Sequence, residues 1–106
     1  MTLLLHTSTA IAHLGLADRD RIVARDSFSI HRDFSETFSD SIRQFLPVHR
    51  ARIEAVTNIV VHVGPGEFAG LRIGVVTANT LAYALGIPVI GVGGHVTGLE
   101  ELLERS

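Results

Sequence analysis

The sequence contains no cysteine, no lysine and no tryptophan, and only three prolines in 106 residues. Without cysteine there is no disulfide framework, no thiolate metal site and no thiol nucleophile. All nine basic residues are arginine. That excludes the lysine-dependent chemistries: a Walker phosphate loop, a Schiff base, a kinase-type ion pair. Charge is scarce as well, at 19% of residues with a net charge of −2. Such a near-neutral balance does not suit a dedicated nucleic-acid surface, whose affinity comes from clustered basic side chains. What remains is an apolar chain, 46% hydrophobic with a mean hydropathy of +0.34. A disordered tail has the opposite composition. The length suits one domain, and a core this small gains from association.

Two segments are apolar enough to raise a membrane or targeting question. The first 17 residues carry no formal charge, but nothing basic precedes Leu3-Leu4-Leu5. His6, Thr7, Ser8, Thr9 and His13 then interrupt the apolar run, which a secretory signal does not tolerate. Leu71 to Leu85 is shorter than a span of about 20 residues and contains Arg72, Asn79 and Thr80. The expectation is a soluble, cytoplasmic protein with no membrane contact.

Leu3–His6, Ile11–Leu16 and Arg21–Ile30 read as three strands of an antiparallel meander, separated by short polar turns. Asp33 has the features of a helix N-cap, with Glu36 completing a capping box. Phe34, Phe38, Ile42, Phe45 and Leu46 follow at helical spacing, and Pro47 should end or bend that helix. Asn58–Val63 is a β-branched run typical of a buried strand. After Gly64-Pro65-Gly66 a long apolar helix is expected from Glu67 to Leu85, closed by Gly86. Pro88–Val92 reads as a further buried strand, and Val96–Glu104 as a last short helix. The order β-β-β-α-β-α-β-α defines an α/β domain with a mixed sheet.

Chemistry-bearing patterns are sparse. The loop Gly64–Gly70 joins a strand to a helix, where phosphates are often held. Its spacing is not a dinucleotide fingerprint, and Glu67 would repel a phosphate. The six histidines His6, His13, His31, His49, His62 and His95 include no pair at helical metal-ligand spacing. No G-x-S-x-G elbow is present. The long helix is more informative: Gly66, Gly70, Gly74, Ala78, Ala82 and Gly86 recur every fourth residue. Positions four apart share a face, so this row is a smooth ridge for a closely packed backbone. That backbone is either the domain's own sheet or a partner. The opposite side carries Val76, Thr80 and Tyr83 beside Arg72 and Asn79, without the dense charge of a solvated face.

The segment Val63-Gly64-Pro65-Gly66-Glu67-Phe68-Ala69-Gly70-Leu71-Arg72-Ile73-Gly74-Val75 closely resembles the TsaB (YeaZ) family. The family pattern there is G-P-G-S-F-T-G-L-R-I-G, followed by a small-residue helix and L-G-I-P-[LV]-x-G-V. Here Leu85-Gly86-Ile87-Pro88-Val89-Ile90-Gly91-Val92 matches the latter, Leu5-His6-Thr7-Ser8-Thr9 resembles I-D-T-S-T, and Phe34-Ser35-Glu36 resembles H-S-E. The resemblance covers nearly the whole chain. It implies a single actin-like lobe of the sugar kinase and heat-shock ATPase type, related to ribonuclease H, spanning residues 1–106 with the family's second lobe absent. His6, Phe34 and Glu67 depart from the family's aspartate, histidine and serine, each away from ligand chemistry.

What the resemblance implies about function is a non-catalytic subunit with no cofactor and no metal. It would serve tRNA threonylcarbamoyladenosine synthesis by binding the catalytic subunit TsaD, or a second copy of itself, with the ATPase TsaE as a further partner. No direct tRNA contact is expected. The helices around Phe34–Leu46 and Glu67–Leu85 would form the interface. Arg72, Val76, Asn79 and Tyr83 are the expected partner-facing residues, with Gly70, Gly74 and Ala78 allowing close approach and Phe38 and Ile42 contributed by the first helix. The alternative is a nucleotide-binding, ATPase-type domain using the Gly64–Gly70 loop.

Overall fold

A computed structural model describes every residue except Arg32 and Glu67, together with the side chain of Phe68. Three strands open the chain: β1 (Thr2–His6), β2 (Ile11–Asp18) and β3 (Arg21–Ser29). Helix α1 (Phe34–Val48) and a single 3-10 turn (Ile53–Ala55) lead to β4 (Asn58–Gly64). Helix α2 (Phe68–Leu85), β5 (Val89–Gly93) and α3 (Leu99–Glu104) complete it. The sheet order is β3-β2-β1-β4-β5. β1, β2 and β3 pair antiparallel as a meander, whereas β4 lies parallel to both β1 and β5. The expected α/β class and element order are therefore observed.

Side chains alternate across a pleated sheet, and this alternation builds two cores. Leu3, Leu5, Leu14, Leu16, Ile59 and Val61 face α1 and α2. Leu4, Val60 and Val92 face the other way, under Leu99 and Leu102 of α3. Between them stands β1, completely buried from Leu3 to Leu5. Ordinary alternation along β2 puts Ala17 on the α3 side after Leu16, while the β2–β3 register shifts there because Val23 is an extra residue on β3.

Helix α1 buries Phe34, Phe38, Ile42, Phe45 and Leu46, the stripe expected from their spacing. The capping box does not form. Asp33 has φ −92° and ψ 12°, a near-helical backbone that leaves its carboxylate without a cap hydrogen bond. Its carbonyl instead accepts the N–H groups of Glu36 and Thr37. Nor does Pro47 end the helix, which continues through Val48. In the last turn a proline removes only one ladder bond, and the His49 N–H closes the end on Phe45 and Leu46 at 3.2 Å.

Helix α2 ends as its sequence suggests. Gly86 adopts φ 66°, its N–H bonds to Tyr83 and that of Ile87 to Ala82, a complete Schellman closure. Whether α2 begins at Glu67 lies outside the described residues. Two expectations need correcting near the C-terminus. β5 is an edge strand in which only Val92 is buried, because no strand pairs beyond it. α3 begins at Leu99 rather than Val96, since Val96 lends its carbonyl to His6 and Gly98 is extended. No helix among the described residues is long and apolar enough to cross a membrane.

Candidate functional site

The small-residue ridge of α2 rests on the chain's own β1 end. A Cβ added to Gly74 would collide with the Thr7 hydroxyl, and one at Gly70 with the Thr7 carbonyl. Thr7 is fully buried, and its Oγ1 donates to the Gly70 carbonyl at 2.7 Å. Gly66 meets Ser8 in the same way, while Ala78 and Ala82 are buried farther along. Gly70, Gly74 and Ala78 therefore permit close approach to the domain's own sheet, not to a partner. Phe38 and Ile42 likewise face inward, at 0% and 3% exposure. These five expected interface residues are core residues, placed there by the apolar phase of their helices.

The outward side of α2 is different. Arg72, Val76, Asn79 and Tyr83 are all exposed, Tyr83 at 91% and Val76 at 56%. Arg72 is the only charged residue in the whole helix. Beside this face lies a groove of about 820 Å³ between α1 and α2. Its walls come from Ser39, Ile42 and Leu46 on one side and Val76, Thr80 and Ala84 on the other. Arg43 and Arg52 stand at the rim, paired with Asp40 at 3.3 Å and Glu54 at 3.7 Å.

A second group gathers at the C-terminal ends of β1 and β4, on the α3 side of the sheet. His6 pairs directly across from His13 on β2, and its ring stacks on that of His62 with centroids 4.8 Å apart. The sequence gives no hint of this in residue spacing alone. The missed signal is strand phase: three histidines in step with the α3-facing positions of adjacent strands. A carbonyl can only accept, so His6 Nε2 donates to Val96 O at 2.7 Å and His62 Nε2 donates to Gly94 O at 2.6 Å. Ser8 Oγ lies 2.5 Å from His62 Nδ1. Burial foremost, then the neighbouring His6, Arg105 and His95, pushes the His62 imidazolium below its ordinary range, against the Gly94 hydrogen bond. His13 is lowered by burial, by His6 and by Arg25.

His6 and His62 stack face to face and spend Nε2 on carbonyls, whereas His13 meets His6 edge-on. No group of histidine and carboxylate side chains among the described residues could hold a metal ion. The hydroxyls flanking the glycine loop are also engaged: Thr7 with Gly70, Ser8 with His62, Thr9 with the Ile11 carbonyl. Of the three departures from the family pattern, His6 and Phe34 are buried in the two cores and Glu67 lies outside the described residues.

A meander followed by a parallel crossover, with paired helices on one face, is the lobe of an actin-like protein. The family model described as "TsaD: tRNA N6-adenosine threonylcarbamoyltransferase" matches residues 28–100. TsaB of Bacillus subtilis, a tRNA threonylcarbamoyladenosine biosynthesis protein, is 31% identical over 92% of this chain and 43% of its own length. A tRNA N6-adenosine threonylcarbamoyltransferase of Geotalea uraniireducens is 37% identical over 71% of the chain and 22% of its own. The solved structure of YeaZ from Pseudomonas aeruginosa superposes with a TM-score of 0.75 at 29% identity, covering 87% of this chain and 42% of that one. The chain belongs to the TsaB (YeaZ) family of tRNA threonylcarbamoyladenosine biosynthesis proteins, and it spans less than half the length of these relatives.

Proposed function

We propose that this chain is a non-catalytic scaffold lobe in tRNA threonylcarbamoyladenosine synthesis, docking the catalytic subunit TsaD, or a second copy of itself, through α1 and α2. The observation that carries this reading is the exposed face of α2, where Val76 and Tyr83 project beside an apolar groove with a single charge in eighteen helical residues. Apolar faces of this kind mark interaction sites, and tyrosine is among the residues that dominate interface energetics. The partner-facing set is thus Arg72, Val76, Asn79 and Tyr83. Coverage of about two-fifths of TsaB and YeaZ supports treating residues 1–106 as one lobe of a two-lobed fold. TsaE joins as a further partner, the near-neutral charge leaves tRNA contact to other subunits, and the setting is the cytoplasm.

Co-purification with TsaD tests the proposal, with sedimentation of the chain alone for self-association. Val76→Glu and Tyr83→Ala alter exposed side chains and should leave the fold intact. Each is expected to weaken association at least tenfold. TsaD binding and self-association both unchanged in a folded double variant would refute the docking face.

A further inference from the structure

We propose that Ser8 is an activated nucleophile, with His62 as its base, able to accept a short acyl group from an activated ester. The proposal is independent of the scaffold reading and rests on the direction of two hydrogen bonds. Because Gly94 O accepts from His62 Nε2, the neutral ring carries its proton there and offers a bare lone pair at Nδ1. The Ser8 hydroxyl, 2.5 Å away, must then donate to that lone pair. A nucleophile held by a base that is itself oriented by a third group is the arrangement on which serine activation depends. The Gly94 carbonyl is the third group here, and the stacked His6 ring holds the imidazole plane.

Ser8, His62, Gly66 and His95 line one cavity of about 300 Å³. It opens beyond the carboxyl ends of the parallel strands β1 and β4, where open α/β sheets place their ligands. Its other hydroxyls are committed, Thr9 to the Ile11 carbonyl and Thr97 to Glu101. His95 is exposed on the cavity wall.

With p-nitrophenyl acetate the step balances as a transfer. Ser8 Oγ attacks the carbonyl carbon while its proton passes to His62 Nδ1. The bond from that carbon to the phenolic oxygen breaks, and His62 returns the proton to the departing p-nitrophenol, leaving acetyl on Ser8. The test is peptide mass spectrometry of the 106-residue chain after treatment with p-nitrophenyl acetate and, separately, a small fluorophosphonate.

The expected result is one adduct per chain, mapped to Ser8, with a stoichiometric burst of p-nitrophenol. His62→Gln should slow labelling about a hundredfold, the scale of a lost general base. Ser8→Ala should abolish it, with circular dichroism confirming that both variants fold. Absence of any adduct on the wild-type chain overturns the proposal. So does an adduct on Tyr83, a histidine or the N-terminus instead of Ser8, or a folded His62→Gln variant labelled at the wild-type rate. Mapping on the wild-type chain decides the matter even if a variant fails to fold.

Discussion

Replacing Gly74 by alanine isolates what the small-residue ridge is for. On an exposed helix the change would stabilise by about 1 kcal/mol through helix propensity. Here the new methyl would overlap Thr7 Oγ1 and lie 3.3 Å from Thr7 Cβ and Cγ2. Overpacking of this kind costs about 1–3 kcal/mol. Rotating Thr7 to make room breaks its bond to the Gly70 carbonyl and leaves a fully buried hydroxyl unpaired, a further cost of about 1–3 kcal/mol. The net expectation is destabilisation of about 1–5 kcal/mol, measured as a lower urea midpoint with unchanged slope. Thr7→Ala removes the obstructing oxygen, so Gly74→Ala in that background should cost within about 1 kcal/mol of zero, a coupling that a double-mutant cycle resolves. Gly70→Ala should not be rescued, because its obstacle is the Thr7 backbone carbonyl. Gly98→Ala, with nothing within 4 Å, is the control for glycine substitution as such. Wild-type stability for Gly74→Ala with Thr7 in place would refute the reasoning and return the ridge to the partner interface.

Acid should weaken the fold through His13 and His62, whose folded-state affinity for a proton lies below the ordinary value of 6.5. The unfolded chain binds those protons more readily, so stability is full above about pH 6.5 and is lost as pH falls below it. Thermal melts between pH 7.5 and about 5 should show a falling midpoint, and a flat or rising one would contradict the assignment. Gly86→Ala meets no neighbour but must hold φ 66°, so a cost of about 1–2 kcal/mol is expected from backbone strain alone. Chemical denaturation would show it, and Gly86→Asn should recover part of the loss.

How far the sequence foretold this molecule depends on whether the deciding interaction was local. The stripe from Phe34 to Leu46, the β-branched run of β4 and the Gly86 closure are set by neighbours within a few residues, and each is present. The capping box failed because the Asp33 backbone is near-helical rather than extended, which residue type alone does not reveal. The ridge of α2 was visible as a ridge, but its occupant depended on Thr7, sixty-seven residues before Gly74, and on no local pattern. The outward set from Arg72 to Tyr83 was legible because charge scarcity and helical phase are both one-dimensional. The histidines needed strand register, which fixes that His6 faces His13 and stacks on His62.

The same alternation that hid the histidine group also separates the two proposed sites. In the segment after β1, Thr7 turns to the helical face and hydrogen-bonds α2, while Ser8 turns to the α3 face and hydrogen-bonds His62. Adjacent residues thus tie one short loop to both sides of the sheet. A partner seated on Val76 and Tyr83 would lie beyond α2, leaving the cavity between Ser8 and His95 on the other side. Docking and serine chemistry therefore need not compete for surface, and losing one in a variant says nothing about the other unless Thr7 itself moves. Gly66 and Gly70 hold that segment in place by bringing the α2 entry into contact with Ser8 and Thr7, where any side chain would prise the loop from the sheet. Glycine is required there by the proximity of two backbones, and a bound phosphate is not needed to explain the loop.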